Sequence, residues 1–262
     1  MPTTYAHYTF GQEVLKSLNE DTINIINKNI ELYNIGLHGP DILFYYNALK
    51  SNKISKLGHN LHKKQGSVIF DYARKIIKES SDSQAASAYI FGFICHFMLD
   101  SSLHPYIRQK EGEMLTHSTI ETELDRLFML KNNLDPISFK PTSHIIPTEK
   151  NSQVISGFFE EVTKDDVFKA LKSMKFYLNF LVSPSRIKRN LISAGLKLSG
   201  NYEGMIGLLM SYEPVEECKQ INEKLYQLYK EAIKPTAQLI EEYKTAIYNN
   251  NNLNDRFNKD FE

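Results

Sequence analysis

The sequence has only two cysteines, no excess of either charge and no long hydrophobic run. Cys95 and Cys218 are too few to form a disulfide framework, which favours a reducing compartment. Lysine plus arginine number 31, and so do aspartate plus glutamate, so the net charge indicates no polyanionic partner such as duplex DNA. The longest apolar run, 88–99, contains His96, is followed by Asp100 and is too short to span a bilayer. We therefore expect no transmembrane segment.

The sequence also lacks the marks of a signal peptide and of β-structure. Its first ten residues, MPTTYAHYTF, show no basic region followed by an apolar core, so we expect a cytoplasmic protein. No stretch alternates apolar and polar residues between Gly-rich hairpin turns. Helical periodicity dominates instead. The sequence predicts an all-α fold, a single-domain multi-helix bundle over 1–248, with a polar, disordered tail over 249–262.

The apolar periodicity and the turn signals place the individual helices. Ser81, Asp82 or Ser83 can cap the helix that contains the apolar run. Three prolines make 132–160 a long loop, and Pro235 is expected to kink the last helix. The predicted helices cover 12–36 (as one helix or two), 58–78, 84–100, 117–131, 165–182, 185–197 and 216–248.

His96 and Asp100 are unusual residues for a helix that the apolar pattern predicts to be buried. Residues four apart share one helix face, and the neighbours of this pair are almost all apolar. A buried, ionised carboxylate is costly unless it finds a counter-charge or a metal. The pair is therefore either an internal hydrogen bond or two ligands of one metal ion.

Other residues of the ligand type accompany this pair. His117 and Glu121 repeat the four-residue spacing on the next helix, and His104 lies between the two pairs. The remaining candidates lie upstream; each also has a plain structural explanation, as a solvated or capping residue: His7, Asp41, His59 and His62. His38 and His144 lie in loops and are interpreted as isolated residues.

The candidate ligands are too many for one closed tetrahedral site. They suit a cluster of two or three ions held by imidazole and carboxylate. No thiolate spacing is present, which excludes a zinc finger. Nitrogen and oxygen donors favour zinc, with iron or manganese as alternatives.

The order of these motifs resembles the bacterial zinc-dependent phospholipase C family. The matching pieces all lie within about residues 1–130: His7, GPD at 39–41, GHNLH at 58–62, HFMLD at 96–100, His104 and HSTIE at 117–121. The family is all-helical and shares its trinuclear zinc fold with fungal single-strand-specific nucleases. The resemblance implies the same fold here, with two or three zinc ions.

The resemblance also implies a role for each matching residue. His96 and Asp100 would bind zinc, and Asp100 would bridge two ions. A histidine of the preceding helix would join them, and we favour His62 over His59. The remaining roles follow the family's motif order: His104, His117 and Glu121 on another zinc, His7 on the third ion, and Asp41 as the base or as the group that orients water.

The sequence departs from the family's pattern at two points. Secreted members bind the third zinc through a mature N-terminal tryptophan, and this sequence contains no tryptophan. The family usually has a longer gap than the four residues between Asp100 and His104. The C-terminal half reads as helical, so the lipid-docking β-domain of some toxin members has no counterpart.

The leading hypothesis is a zinc-dependent phosphodiester hydrolase of phospholipase C type, acting on a phospholipid or another phosphodiester. Metal-activated water would attack the phosphorus. One alternative is a nuclease for single-stranded nucleic acid, for which SPSRIKRN (183–190) offers a modest basic patch. Another is a metal-binding helical module with little or no catalysis.

Overall fold

The computed structural model describes residues 4–112, 115–198, 202–249 and 251–262, apart from the side chains of residues 203 and 204. It contains twelve α-helices and no strand among those residues: α1 (Thr4–Leu15), α2 (Glu20–Lys28), α3 (Ile30–Gly36), α4 (Lys53–His62), α5 (Gly66–Glu79), α6 (Ser83–Lys110), α7 (His117–Lys131), α8 (Glu149–Ser156), α9 (Lys164–Leu181), α10 (Arg186–Leu198), α11 (Tyr202–Met205) and α12 (Cys218–Asn249). Three 3-10 helices cover Gly39–Tyr45, Ile206–Leu208 and Asp255–Asn258. The all-α prediction is confirmed.

Helix α6 forms the centre of the bundle, with α1, α2, α3, α5 and α12 packed around it. Its apolar residues are buried along almost the whole length. By length and composition α6 could cross a membrane, but the core helix of a globular protein passes the same test. Here 94% of its most apolar 18-residue window is covered by other parts of the chain.

Two glycines let α3 approach α6 closely. A Cβ atom on Gly36 would lie 2.1 Å from the carbonyl oxygen of Tyr89, and one on Gly92 would lie 2.2 Å from that of Tyr33. Any larger residue would therefore force the two backbones apart. This contact fixes the chain just before the turn at Gly39–Tyr45 against the half of α6 that carries His96.

The predicted helix boundaries were wrong in four places. The segment 12–36, expected to be one helix or two, contains the end of α1 and all of α2 and α3. The helix expected over 58–78 is two helices, because Asn52 and Ser55 form a capping box that starts α4 earlier and the chain turns at 63–65. The predicted loop 132–160 contains α8, which Thr148 caps. Helix α6 continues past Asp100 and through Pro105 to Lys110, although proline removes one helical hydrogen bond.

The predicted disordered tail is also at odds with the structure. Phe257 and Phe261 are fully buried in the core, although most residues around them are polar. The tail is tied to the start of α5 by a hydrogen bond from the amide of Gly66 to the carbonyl of Lys259, and the amide of Phe261 donates to the carbonyl of His62. The free energy gained by burying these two aromatic side chains thus holds the segment in place, although its composition is mostly polar.

Candidate metal centre

Five parts of the chain bring the candidate ligands to one place: α1, the turn at Gly39–Tyr45, α4, α6 and α7. Helix α6 presents His96, Asp100 and His104 at intervals of four residues, so all three lie on one face. The longer α6 explains why the short gap between Asp100 and His104 is compatible with a common site. Thr116 caps α7 by accepting from the amide of Thr119, so this helix begins at His117.

The carboxylate of Asp100 lies at the centre of the cluster. Its Oδ1 is 3.1 Å from Nε2 of His7 and 3.7 Å from Nε2 of His104. Its Oδ2 is 3.1 Å from Nε2 of His96 and 4.0 Å from Nε2 of His62. Each carboxylate oxygen thus faces two imidazole nitrogens, which is the arrangement of a carboxylate that bridges two cations.

The donor atoms fall into three groups in which every pair lies within 4.8 Å. The groups are His7, His96 and Asp100; Asp41, His62 and His96; and His104, His117 and Glu121, and the first two share His96. Eight of the nine predicted site residues therefore come together. The third group reaches solvent through His117, whose side chain is 30% exposed.

Asp41 and His62 form the most polar edge of the cluster. Oδ1 of Asp41 lies 2.9 Å from Nε2 of His62. Burial alone would lower the pKa of His62, but Asp41 and Asp100 raise it to about 9. Burial alone would raise the pKa of Asp41, whereas the hydrogen bond from His62 and the charge of His96 lower it. The carboxylate is therefore ionised at neutral pH, and a metal bound by His62 would displace a proton.

Three histidines are oriented through the ring nitrogen that faces away from the cluster. Nδ1 of His62 donates to the carbonyl of Gly58 at 2.8 Å. Nδ1 of His104 donates to the carbonyl of Phe261 at 2.9 Å, and Nδ1 of His117 lies 2.6 Å from Oε1 of Glu111. Metal-bound histidines have this pattern, in which the second nitrogen donates to a carbonyl or carboxylate and fixes the tautomer.

His96 lies in the driest part of the cluster. Its Nε2 is 3.1 Å from Oδ2 of Asp100, yet neither ring nitrogen is aligned for a hydrogen bond with any residue that the structure describes. Burial lowers the pKa of His96 to about 4, so the ring is neutral at pH 7 and Nε2 can offer its lone pair. Buried, unpaired ring nitrogens are costly without a partner. The residues present thus fit zinc, which accepts nitrogen and oxygen ligands.

Asp125 is a residue of the site that the sequence analysis missed. It lies one helical turn after Glu121 on α7, and its carboxylate accepts hydrogen bonds from the backbone amides of Tyr5 and Ala6. These amides belong to the first turn of α1, where they lack helical partners. Asp125 thereby holds the helix that carries His7. The four-residue spacing from Glu121 was the signal that could have revealed it.

The structure does not bring His59 into any of the three groups. Its exposed ring stacks on Phe44, with the ring centres 4.3 Å apart. Three residues along a helix correspond to a rise of about 4.5 Å, so His62, not His59, reaches the level of Asp100. Spacing along α4 alone could not separate the two, because both lie on the same side of the helix; the preference for His62 came from the family resemblance.

His38 and His144 were predicted to stand alone, and this prediction was wrong. Their Nε2 atoms lie 2.7 Å apart in a buried hydrogen bond that joins the loop after α7 to the turn before Asp41. The carbonyl of His38 also accepts from the amide of Asp41. Burial lowers the pKa of His38 and that of His144, the latter to about 3, so both rings are neutral at pH 7. The sequence separation of 106 residues concealed the pair.

Gly39 is required where the turn passes over His96. Its φ angle is +45°, in the left-handed region that favours glycine. A Cβ atom there would lie 2.3 Å from the imidazole ring of His96. The Gly-Pro-Asp sequence thus lets the backbone touch a ligand ring and places Asp41 beside it.

A model of one protein family matches the chain over residues 6–177, and its description is zinc-dependent phospholipase C. The matched region is well over half of the chain and contains all the residues of the cluster. The chain belongs to the zinc-dependent phospholipase C family. This confirms the resemblance, and the match extends beyond the first 130 residues on which the motifs lay.

Parts of this zinc-dependent phospholipase C family member lie outside the matched region. They include α10, α12 and the tail that contacts His62 and His104. Searches of the curated proteins and of the solved structures found no match. The functions of these C-terminal parts must therefore be argued from their own residues.

Proposed function

We propose that this protein is a zinc-dependent phosphodiesterase of phospholipase C type that hydrolyses the head-group phosphodiester of a phospholipid. One observation carries the proposal: each oxygen of Asp100 faces two histidines, as a bridging ligand between two ions requires. Membership of the family supports the reaction class. Either two or three ions are compatible with the three donor groups.

The clustered side chains would bind the metal ions, and the ions would supply the reactive water. Zinc, when bound, lowers the pKa of water from 15.7 towards about 7 and neutralises charge on the phosphoryl oxygens. His62, His96 and Asp100 would hold one ion, His104, His117 and Glu121 another, and His7 would serve a third. These residues lie on the rigid helices α1, α4, α6 and α7, which keeps the donor atoms in place.

Asp41 is the residue we assign to the attacking water. Its Oδ1 lies beside Nε2 of His62, at the edge of the cluster, where it can hold the water or accept its proton. In its ionised state at neutral pH both carboxylate oxygens are acceptors, and Oδ1 accepts a hydrogen bond from His62. The turn at Gly39–Tyr45 and the His38–His144 pair fix the position of this carboxylate.

Metal analysis and three substrates test this proposal. Protein purified without chelator should contain at least two zinc ions per chain and should hydrolyse phosphatidylcholine and a generic phosphodiester. Cleavage of single-stranded DNA alone would favour the nuclease, and zinc binding without hydrolysis would favour a non-catalytic module. A folded protein that neither contains nor takes up zinc would exclude all three.

A further inference from the structure

Large apolar side chains are exposed in one part of the molecule. The structure describes ten exposed large apolar or aromatic residues, and five of them fall between residues 176 and 198. We call these five the apolar patch: Phe176, Phe180, Ile187, Leu191 and Leu198. Their exposed fractions range from 46% to 91%. A concentration of this kind on a folded protein marks an interaction surface.

Helix α10 turns its apolar stripe towards solvent. Ile187, Leu191, Ala194 and Leu198 follow one another at intervals of four, three and four residues, which places them on one face, and all four are exposed. A helix that packs on a core normally buries such a stripe. In α10 the single buried residue is Ile192. The exposed stripe is therefore not needed to attach the helix to the bundle.

The patch is accompanied by positive charge. Helix α10 contains Arg186, Lys188, Arg189 and Lys197 and no acidic residue. The ammonium group of Lys188 lies 4.9 Å from the ring centre of Phe180, which joins α10 to the end of α9. The whole chain is neutral, so this excess is local. Basic residues beside exposed apolar ones are typical of helices that lie in the interface of an anionic membrane.

The patch also lies beside elements that carry the metal centre. Helix α9 packs against the turn at Gly39–Tyr45, which contains Asp41. Helix α10 contacts α11, and the 3-10 helix Ile206–Leu208 that follows packs on α7. Thr122, the residue after Glu121 on α7, donates a hydrogen bond from its hydroxyl to the carbonyl of Gly207 in this 3-10 helix. The patch is thus connected to the elements of the site, directly through α9 and through α11 and the following 3-10 helix from α10.

We propose that the apolar patch, together with the basic residues of α10, docks the protein onto an anionic phospholipid surface. The inference rests on the proposed function in one respect: the docked membrane would supply the phospholipid substrate. The positive charge of α10 favours an anionic lipid surface over a second copy of this chain as the partner of the patch. A two-fold contact between copies through α10 would place its four basic residues against an identical basic set.

Vesicle sedimentation tests the docking without any need for catalysis. The full chain is mixed with vesicles of phosphatidylcholine, or of phosphatidylcholine and phosphatidylserine. Wild type should bind the mixed vesicles more tightly, and binding should weaken as salt is raised. The double variant Ile187→Glu/Leu191→Glu should lose about tenfold or more in partition, because two apolar anchors no longer enter the lipid. Val68→Glu, a change at an exposed apolar residue of α5 outside the patch, should bind like wild type.

The charge contribution is measured separately. Arg186→Gln and Lys197→Gln should each weaken binding to the mixed vesicles by about fivefold and leave binding to pure phosphatidylcholine almost unchanged. Hydrolysis of a water-soluble phosphodiester should be the same in all of these variants as in wild type. A protein that hydrolyses nothing but binds the mixed vesicles would overturn the proposed function and leave the docking surface standing.

Three results would overturn the docking proposal. The first is wild type that binds neither kind of vesicle. The second is Val68→Glu losing as much binding as the double variant. The third is self-association of wild type that the double variant abolishes, because this would assign the patch to a second copy of the chain. Sedimentation velocity of the same samples detects the third result.

Discussion

The imidazole of His104 donates a hydrogen bond from Nδ1 to the backbone carbonyl of Phe261, 157 residues further along the chain. This bond turns Nε2 of His104 towards Asp100 and Glu121, at 3.7 Å and 3.5 Å. The buried ring of Phe261 packs against His62 and His96, with ring centres 5.3 Å and 5.8 Å away. A residue outside the matched family region therefore supports three of the candidate ligands.

Replacing Phe261 should weaken zinc binding. Phe261→Ala removes the ring that anchors the tail, so the carbonyl that orients His104 should move away. Loss of an outer partner of a metal ligand typically reduces metal affinity by about 10–100-fold, measurable by competition with a chelator. Phe158→Ala removes a buried ring that packs on Tyr89, away from the tail. Equal losses of zinc affinity in both variants would contradict a specific role for Phe261.

Asp100→Asn distinguishes a metal ligand from a structural ion pair. An amide is a poor bridging ligand, so the variant should lose at least one ion and the stability that metal binding adds, RT ln(1 + [L]/Kd). Chelator should then lower the melting temperature of wild type strongly and that of the variant little. A purely structural pair predicts no chelator effect in either protein and a loss of about 3–5 kcal/mol in the variant. Four thermal melts decide between the two.

Asp41→Asn tests the residue assigned to the water. If Asp41 acts as the base, the variant should keep its zinc while phosphodiester hydrolysis falls by roughly 10²–10⁴-fold. Elemental analysis and the rate on a generic phosphodiester are measured on the same sample. Loss of an ion together with activity would make Asp41 a ligand, as its place in a donor group allows. Full activity would remove it from the mechanism.

His62 and His59 offer a matched pair of variants on one helix. His62→Ala removes a ring that faces both Asp41 and Asp100 and should lower zinc content and hydrolysis together. His59→Ala removes an exposed ring stacked on Phe44 and should leave zinc content at the wild-type level. The reverse result, with zinc lost from the His59 variant alone, would contradict the site described here.

The His38–His144 pair should make the metal-free protein sensitive to acid. Burial holds the folded pKa of His144 at about 3, below the unfolded value of about 6.5. Between these values the unfolded chain binds more protons, so stability is full above about pH 6.5 and falls as the pH decreases. The slope from one such group is at most about 1.4 kcal/mol per pH unit.

His144→Gln keeps a hydrogen-bonding partner for His38 but removes the titrating ring. Urea unfolding of chelated protein between pH 4 and 7 should therefore show a shallower decrease of stability in the variant than in wild type. A parallel decrease in both proteins would show that the acid sensitivity arises elsewhere.

The sequence was informative where spacing along one helix decides the geometry. The intervals between His96, Asp100 and His104 and between His117 and Glu121 placed these residues on common faces, and the structure agrees. The end of α6 could not be predicted, because Pro105 is a helix-breaking signal that tertiary packing overrides. Local patterns thus identified five of the eight clustered residues through α6 and α7.

Contacts between distant segments were beyond the reach of such patterns. The His38–His144 bond joins two loops, and Phe261 reaches the cluster from a segment whose composition indicates disorder. The difference between His59 and His62 depends on how α4 packs against the turn at Gly39–Tyr45, and spacing along α4 alone does not contain this information. Each of these features requires the three-dimensional fold.

The buried tail has a consequence for how the protein is made. Chains are synthesised from the N-terminus and fold progressively, so every candidate ligand from His7 to Glu121 emerges before the residues around Phe261. Until then His104 lacks the carbonyl that sets its tautomer, and α5 lacks the strap from Lys259. We therefore expect tight metal binding only after the segment around Phe261 has been synthesised and has packed against the bundle.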